Sequence, residues 1–175
     1  MPETVDNIKI DETGSLKPSR YIYLCSQGKM TWLFGRNVDD RPITDYEWRM
    51  LKRLLELGME PEAAFDEWAD QIFRNDLWNT ESGLKRIVGR DLWNKTPQEA
   101  KLIALNMAYN MGLSRFGEDK WPNFYRCFRE GDWAECAIQM QWTDAKKAHH
   151  SLWYQQTKSR AVRLVQAMAA LGGAS

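Results

Sequence analysis

The chain has 175 residues, 43% of them hydrophobic and 27% charged, which predicts a folded domain and excludes a disordered one. Its 24 basic and 24 acidic residues cancel, so the whole chain is no general trap for nucleic acid or any other polyanion. No apolar run is long enough to span a membrane, and the start, MPETVDNIKIDE, has neither the basic nor the apolar region of a secretory signal.

In chain order, a short helix around Val5 and Ile8 comes first, broken by Thr13-Gly14-Ser15 and Pro18. Tyr21–Cys25 and Met30–Phe34 are rich in strand formers. With a turn at Ser26-Gln27-Gly28-Lys29 they predict a β-hairpin closed at Gly35. Thr44-Asp45-Tyr46-Glu47 matches a capping box and opens a helix with Trp48, Leu51, Leu54 and Leu55 on one stripe, ended by Gly58. Pro61 starts the next helix, with Ala64, Phe65, Trp68, Ile72 and Phe73 at helical spacing. Residues 75–94 predict one or two short helices. Thr96-Pro97-Gln98-Glu99 repeats the capping pattern, and the helix after it, through Met111, is apolar nearly all round and therefore buried. Further helices are expected at about 121–130, Asp132–Met140, about 143–156 and Ser159–Leu171.

The expected class is α+β, mostly α: a small N-terminal hairpin lobe (1–43), connecting helices (44–95) and a larger helical lobe with a buried central helix (96–175), all as one domain. Three sparse cysteines (Cys25, Cys127, Cys136) without a CxxC pair predict neither a disulfide framework nor a zinc site. His149 and His150 are expected at the surface, since adjacent helical residues point in different directions and make a poor metal site. Nine tryptophans are unusual; some should line a groove, because Trp offers flat apolar area and one N–H donor.

Three blocks carry a resemblance. Leu105-Asn-Met-Ala-Tyr-Asn-Met-Gly112 resembles the buried central helix of the phage-type lysozymes (endolysins), and Gly131-Asp-Trp-Ala-Glu-Cys-Ala137 is similar to the short helix that follows it. Ser151-Leu-Trp-Tyr-Gln-Gln-Thr-Lys-Ser-Arg160-Ala-Val-Arg163 is similar to the family's Ser-x-Trp-(Tyr)-x-Gln-Thr-x-x-Arg-Ala-x-Arg signature. The resemblance implies a lysozyme-like fold and a catalytic set of Glu12, Cys25 and Thr31, with Asn110 on the cleft floor, Arg160 directed at the acid and Trp32 in the substrate-binding set. Five residues separate Cys25 from Thr31, as in the family, but twelve separate Glu12 from Cys25, more than usual; the other upstream glutamate, Glu3, is farther still. The hairpin end also departs from Thr-x-Gly-x-Gly-His: Leu33 replaces a glycine and Arg36 the histidine. Trp142–His150 reads as an insertion, and Lys146, Lys147, Lys158, Arg160 and Arg163 make the C-terminal quarter basic, which fits a solvated helical face better than an anion-binding one.

The implied activity is that of a muramidase, which hydrolyses the β-1,4 bond between N-acetylmuramic acid and N-acetylglucosamine in peptidoglycan. Such chemistry needs a carboxylic acid that stays protonated near neutral pH and a second group that orients water or stabilises the cation. Glu12 suits the first task. Thr31 suits the holding of water, and Cys25 stands where a carboxylate is usual, an ordinary thiol being mostly neutral with a pKa of about 8.5. No cofactor or metal is implied. Bacterial peptidoglycan is the expected partner, with other virion proteins if the chain is carried in a particle, and without nucleic acid or membrane insertion. A free endolysin would be a monomer in the host cytoplasm until lysis. The second reading is a lysozyme-like scaffold with weak or no catalysis, serving as a virion or wall-binding module.

Overall fold

The structure, a computed structural model, describes residues 3–25, 28–143 and 149–173. Within them the order is α1 (Val5–Thr13), β1 (Ser19–Leu24), β2 (Met30–Leu33), β3 (Arg36–Asn37), α2 (Asp45–Glu56), α3 (Pro61–Val88), α4 (Arg90–Lys95), α5 (Gln98–Met111), α6 (Pro122–Glu130), α7 (Trp133–Gln141), α8 (Leu152–Thr157) and α9 (Ser159–Gly172). This is the expected α+β, mostly helical class. The chain divides into two compact units, Asp6–Trp78 and Met1–Val5 with Asn79–Ser175. No described helix is long and apolar enough to cross a membrane.

In the unit Asp6–Trp78, the strands pair antiparallel in the order β1-β2-β3. Tyr23 lies opposite Thr31 and Leu24 opposite Met30, but Ser19 is opposite Leu33, so the register slips between Ser19 and Tyr23. Arg20, Tyr21 and Ile22 thus face the single residue Trp32, and Tyr21 and Ile22 are left exposed. β1 starts at Ser19, before the expected Tyr21, and Cys25 falls just past its end. The expected turn residues Ser26 and Gln27 lie outside the described residues. β3 was not expected; two residues, Arg36 and Asn37, are too few to show alternation. Behind the sheet, the Trp32 ring packs against Trp48, Phe65 and Trp68 with centroids 5.8–6.1 Å apart. Phe34 packs on Phe73 at 5.2 Å. Thr44 caps α2 as its sequence predicts: its hydroxyl accepts from Glu47 N, while the Glu47 carboxylate accepts from Thr44 N. A cap of this kind is worth about 1 kcal/mol.

In the other unit, α5 buries Ala100, Ile103, Ala104, Leu105, Asn106, Met107 and Ala108, the nearly all-round burial its composition predicts. Aromatic rings from the loop before α6 and from α6 itself complete the core: Phe116, Phe124 and Tyr125 interlock at 5.2–5.5 Å, and Tyr125 donates its hydroxyl to the Phe116 carbonyl at 2.6 Å.

Four expectations are corrected. Residues 75–94 are not short separate helices, because α3 continues unbroken to Val88 before the short α4. Gly83 does not break it; a Cβ there would lie 2.2 Å from Leu113 Cδ1, so the glycine serves close packing. Thr96 does not cap α5. Its hydroxyl donates back to the Leu92 carbonyl at 2.9 Å, closing α4, and Pro97 begins α5 without a side-chain cap. Of the helix expected at about 143–156, the described residues form α8 (Leu152–Thr157), capped by Ser151, and Trp142 and His150 form a β-bridge before it. Residues 144–148, Lys146 and Lys147 among them, lie outside the described residues. Finally, His149 is exposed as expected, but His150 is half-buried, its ring stacked between Trp142 (4.1 Å) and Tyr154 (4.7 Å).

Candidate active site

The unit Asp6–Trp78 holds the expected catalytic residues, Cys25 and Thr31 on its hairpin and Glu12 on the helix before it. Glu12 lies in the last turn of α1, half-buried, with its side chain against the β2–β3 turn. There Gly35 has φ +83°, and a Cβ added to it would stand 2.9 Å from Glu12 Cβ and 3.0 Å from Glu12 Oε2. Only glycine satisfies both the backbone angle and the close approach. Gly35→Ala is therefore expected to destabilise the protein by about 1–3 kcal/mol in urea unfolding and to displace Glu12; an unchanged midpoint would contradict that packing.

Thr31 is only 5% exposed, and its hydroxyl donates to the Lys29 carbonyl at 3.1 Å. With its proton so committed, Thr31 Oγ1 offers lone pairs to whatever lies above it. Directly opposite, Tyr23 shares its face of the sheet. The Tyr23 phenol is pushed above its ordinary pKa by burial, then by the charge of Glu12 and that of Cys25. Tyr23 is thus the residue around which Glu12, Cys25 and Thr31 collect. The sequence reading missed it, although the Tyr21-x-Tyr23-x-Cys25 alternation already put it on the same side as Cys25. Cys25 is half-buried and in no disulfide: its N–H donates to the Lys29 carbonyl (2.9 Å), and its own carbonyl accepts from Gly28 N (2.8 Å). Trp32, next along β2, points to the opposite face, into the aromatic cluster of Trp48, Phe65 and Trp68; its buried Nε1 has no partner among the described residues.

Both departures from the family's hairpin end have structural explanations. Leu33 keeps the left-handed backbone that glycine would supply, at φ +56°, with its side chain buried in the core. Such a conformation costs roughly 1–2 kcal/mol, offset by the burial of an entire leucine side chain. Arg36 is 5% exposed and forms the hub of a charge cluster. Its Nη1 and Nη2 donate to both Glu47 oxygens (2.6 and 3.3 Å), Nε donates to the Arg41 carbonyl (2.9 Å), and Nη2 donates to the Pro42 carbonyl (3.0 Å). Asp76 lies 3.7 Å from Arg36 and 3.1 Å from Arg41. Burial works to raise the Glu47 pKa, but hydrogen bonds from Arg36 and Thr44 outweigh it and hold the carboxyl below the usual range. For Asp76 burial dominates over Arg41 and Arg36, and its pKa is raised.

The other unit holds a polar network of its own. Arg160 donates from Nε (2.9 Å) and Nη2 (2.6 Å) to Asn106 Oδ1, and Asn106 Nδ2 donates to Glu3 Oε1 at 2.7 Å. Arg163 pairs with the second Glu3 oxygen, and Glu3 N–H donates to Glu99 at 3.3 Å. Glu3, set aside in the sequence reading as too far upstream, is thus a buried, ion-paired anchor of the N-terminus. Asn106 joins this core network, whereas Asn110, one turn later on α5, is exposed.

A small antiparallel sheet carrying a thiol and a hydroxyl on one hairpin, with a carboxyl on the preceding helix, in a mostly helical α+β chain, is the arrangement this sequence encodes. No family model matches the chain. It is similar to the pre-baseplate central spike protein Gp5 of Enterobacteria phage T4, 27% identical over 149 residues, which is 82% of this chain and 24% of that protein. The chain thus spans about a quarter of that relative's length.

Proposed function

We propose that this chain is a peptidoglycan-cleaving muramidase of the phage-lysozyme type, carried as part of a virion. The observation that supports it most is the grouping of Glu12 from α1 with Cys25 and Thr31 of the hairpin about Tyr23, in the order and with the Cys–Thr spacing of that family. Similarity to a phage spike protein favours a particle-borne role over a free endolysin. In this reading Glu12 donates its proton to the glycosidic oxygen as the carbon–oxygen bond breaks and positive charge builds on the sugar ring. A water adds to the anomeric carbon, oriented by a hydrogen bond to Thr31 Oγ1. The proton that water sheds needs a base, and Cys25 serves only as its thiolate. Asn110, exposed on α5, is kept as a candidate substrate-binding residue; Arg160 is committed to Asn106 in the buried network of its own unit, and Trp32 packs in the aromatic cluster behind the sheet, so neither is assigned to the substrate.

The test is the release of reducing ends from purified peptidoglycan and the clearing of permeabilised Gram-negative cells, measured with the wild-type chain. Release supports the enzyme. A folded wild type that releases none supports the second reading, a wall-binding or structural virion module, which the use of Arg36 as a structural hub favours. Cys25→Asp separates roles within the site. An aspartate is ionised at neutral pH, so it both accepts the proton of the water and stabilises the ring cation. The variant is expected to match wild-type clearing or exceed it by up to about tenfold. Complete loss with an intact thermal transition would instead mean that the sulfur has its own chemistry, as a nucleophile.

A further inference from the structure

The proposed site leaves Cys127 and Cys136 unused. They stand nine positions apart, on α6 and α7, each roughly one turn from the Gly131-Asp132 bend that joins those helices. Both residues are wholly buried. Cys127 Sγ lies 2.7 Å from the Asn123 carbonyl and 3.6 Å from the Phe124 carbonyl, and Cys136 Sγ lies 3.9 Å from that same Phe124 oxygen. Two sulfurs directed at one carbonyl oxygen are neighbours, and neither is bonded covalently to anything else.

We infer that Cys127 and Cys136 form a dithiol couple that a small-molecule disulfide such as oxidised glutathione converts to an intrachain disulfide, stapling α6 to α7. The closeness of the two thiols holds the Cys127 pKa below its ordinary value and that of Cys136, buried beside it, above, which assigns the order of events. The Cys127 thiolate attacks one sulfur of the oxidant, forming a mixed disulfide and releasing one molecule of the reduced thiol. Cys136 then loses its proton and attacks the Cys127 sulfur, closing the ring and releasing the second reduced thiol. Two protein thiols are oxidised and one small disulfide is reduced to two thiols. Burial makes the reaction slow, gated by local opening of the α6–α7 turn. Outside a reducing cytoplasm the staple persists.

The full chain is incubated with excess oxidised glutathione, then denatured for thiol titration, intact mass and a non-reducing peptide map. The expected result is a fall from three titratable thiols to one, a mass loss of two hydrogens and a cross-linked pair of peptides carrying residues 127 and 136. The thermal midpoint should rise by about 5–10 °C and return on reduction. In Cys136→Ala, whose small side chain suits the buried site, the cross-link disappears and the midpoint no longer responds to the oxidant. Three thiols surviving prolonged treatment under mildly destabilising urea would overturn the inference. So would a product with glutathione retained on single cysteines, or a cross-link through Cys25.

Discussion

Glu12→Gln is expected to lower peptidoglycan hydrolysis by about 10²–10⁴-fold while leaving the fold intact. The amide is nearly isosteric with the carboxyl, so it keeps the packing of the Glu12 side chain against Gly35. What it loses is the acidic proton, and a glycosidic oxygen is too poor a leaving group to depart without one. Because Glu12 is half-buried and not part of the core, its thermal midpoint should stay within a few degrees of wild type, since surface-type substitutions cost little. The paired measurement is reducing-end release and thermal unfolding on the same preparations. Equal release by wild type and variant would remove Glu12 as the acid, whatever the status of the rest of the site. Glu3→Gln is the informative contrast. Glu3 pairs with Arg163 and Asn106 inside the other unit, so its loss should show in stability, by several kcal/mol for a broken buried pair.

How far the sequence foretold this arrangement depends on the range of the interaction concerned. Thr44 and Glu47 sit three residues apart in a capping box, and the bonds form as that spacing predicts. Thr96 and Glu99 have the same spacing, yet Thr96 turns to the Leu92 carbonyl behind it. The preceding α4 supplies an acceptor that no pattern downstream of Thr96 can reveal. Gly83 is tolerated inside α3 because its partner, Leu113, comes from thirty positions away. The buried central helix was readable because its composition is apolar on every side, a property of the segment itself. The site divides in the same way. Glu12, Cys25 and Thr31 are candidates through the family resemblance, of which only the Cys25–Thr31 spacing fits without change. Tyr23 is recognised only once the strand register sets it opposite Thr31. Arg36 and Glu3 look like ordinary surface charges in one dimension; each is buried because oppositely charged groups arrive from elsewhere in the chain. His150 was misplaced for the same reason, its aromatic neighbours lying four and eight positions off across a turn and a bridge.

The second large effect is expected at Arg36→Met, whose cost should be about 3–5 kcal/mol at pH 7. Methionine fills much of the volume of the arginine stem, so cavity formation contributes little. The dominant loss is the cation: Glu47 and Asp76 remain as carboxylates in a region where their side chains are 12% and 7% exposed. Three backbone and side-chain acceptors that the guanidinium served also lose their donor. The pH dependence distinguishes this explanation from simple mispacking. In the wild type the Glu47 pKa is depressed, so its contribution is present above the ordinary carboxylate pKa of about 4.3 and is lost as pH falls through its lower folded value. Without Arg36 that depression shrinks and the Asp76 pKa, already raised by burial, rises further. At Glu47 the unfolded state then loses its advantage in binding protons, while at Asp76 the folded state's existing advantage grows, so acid relieves the stranded charges. The destabilisation measured by urea unfolding should therefore be largest at pH 7 and much smaller near pH 4. Adding Glu47→Gln to Arg36→Met should recover part of the loss at pH 7, because one of the two uncompensated charges is gone. A penalty that is the same at both pH values, or a double variant no better than the single one, would show that shape and not charge sets the cost at this hub.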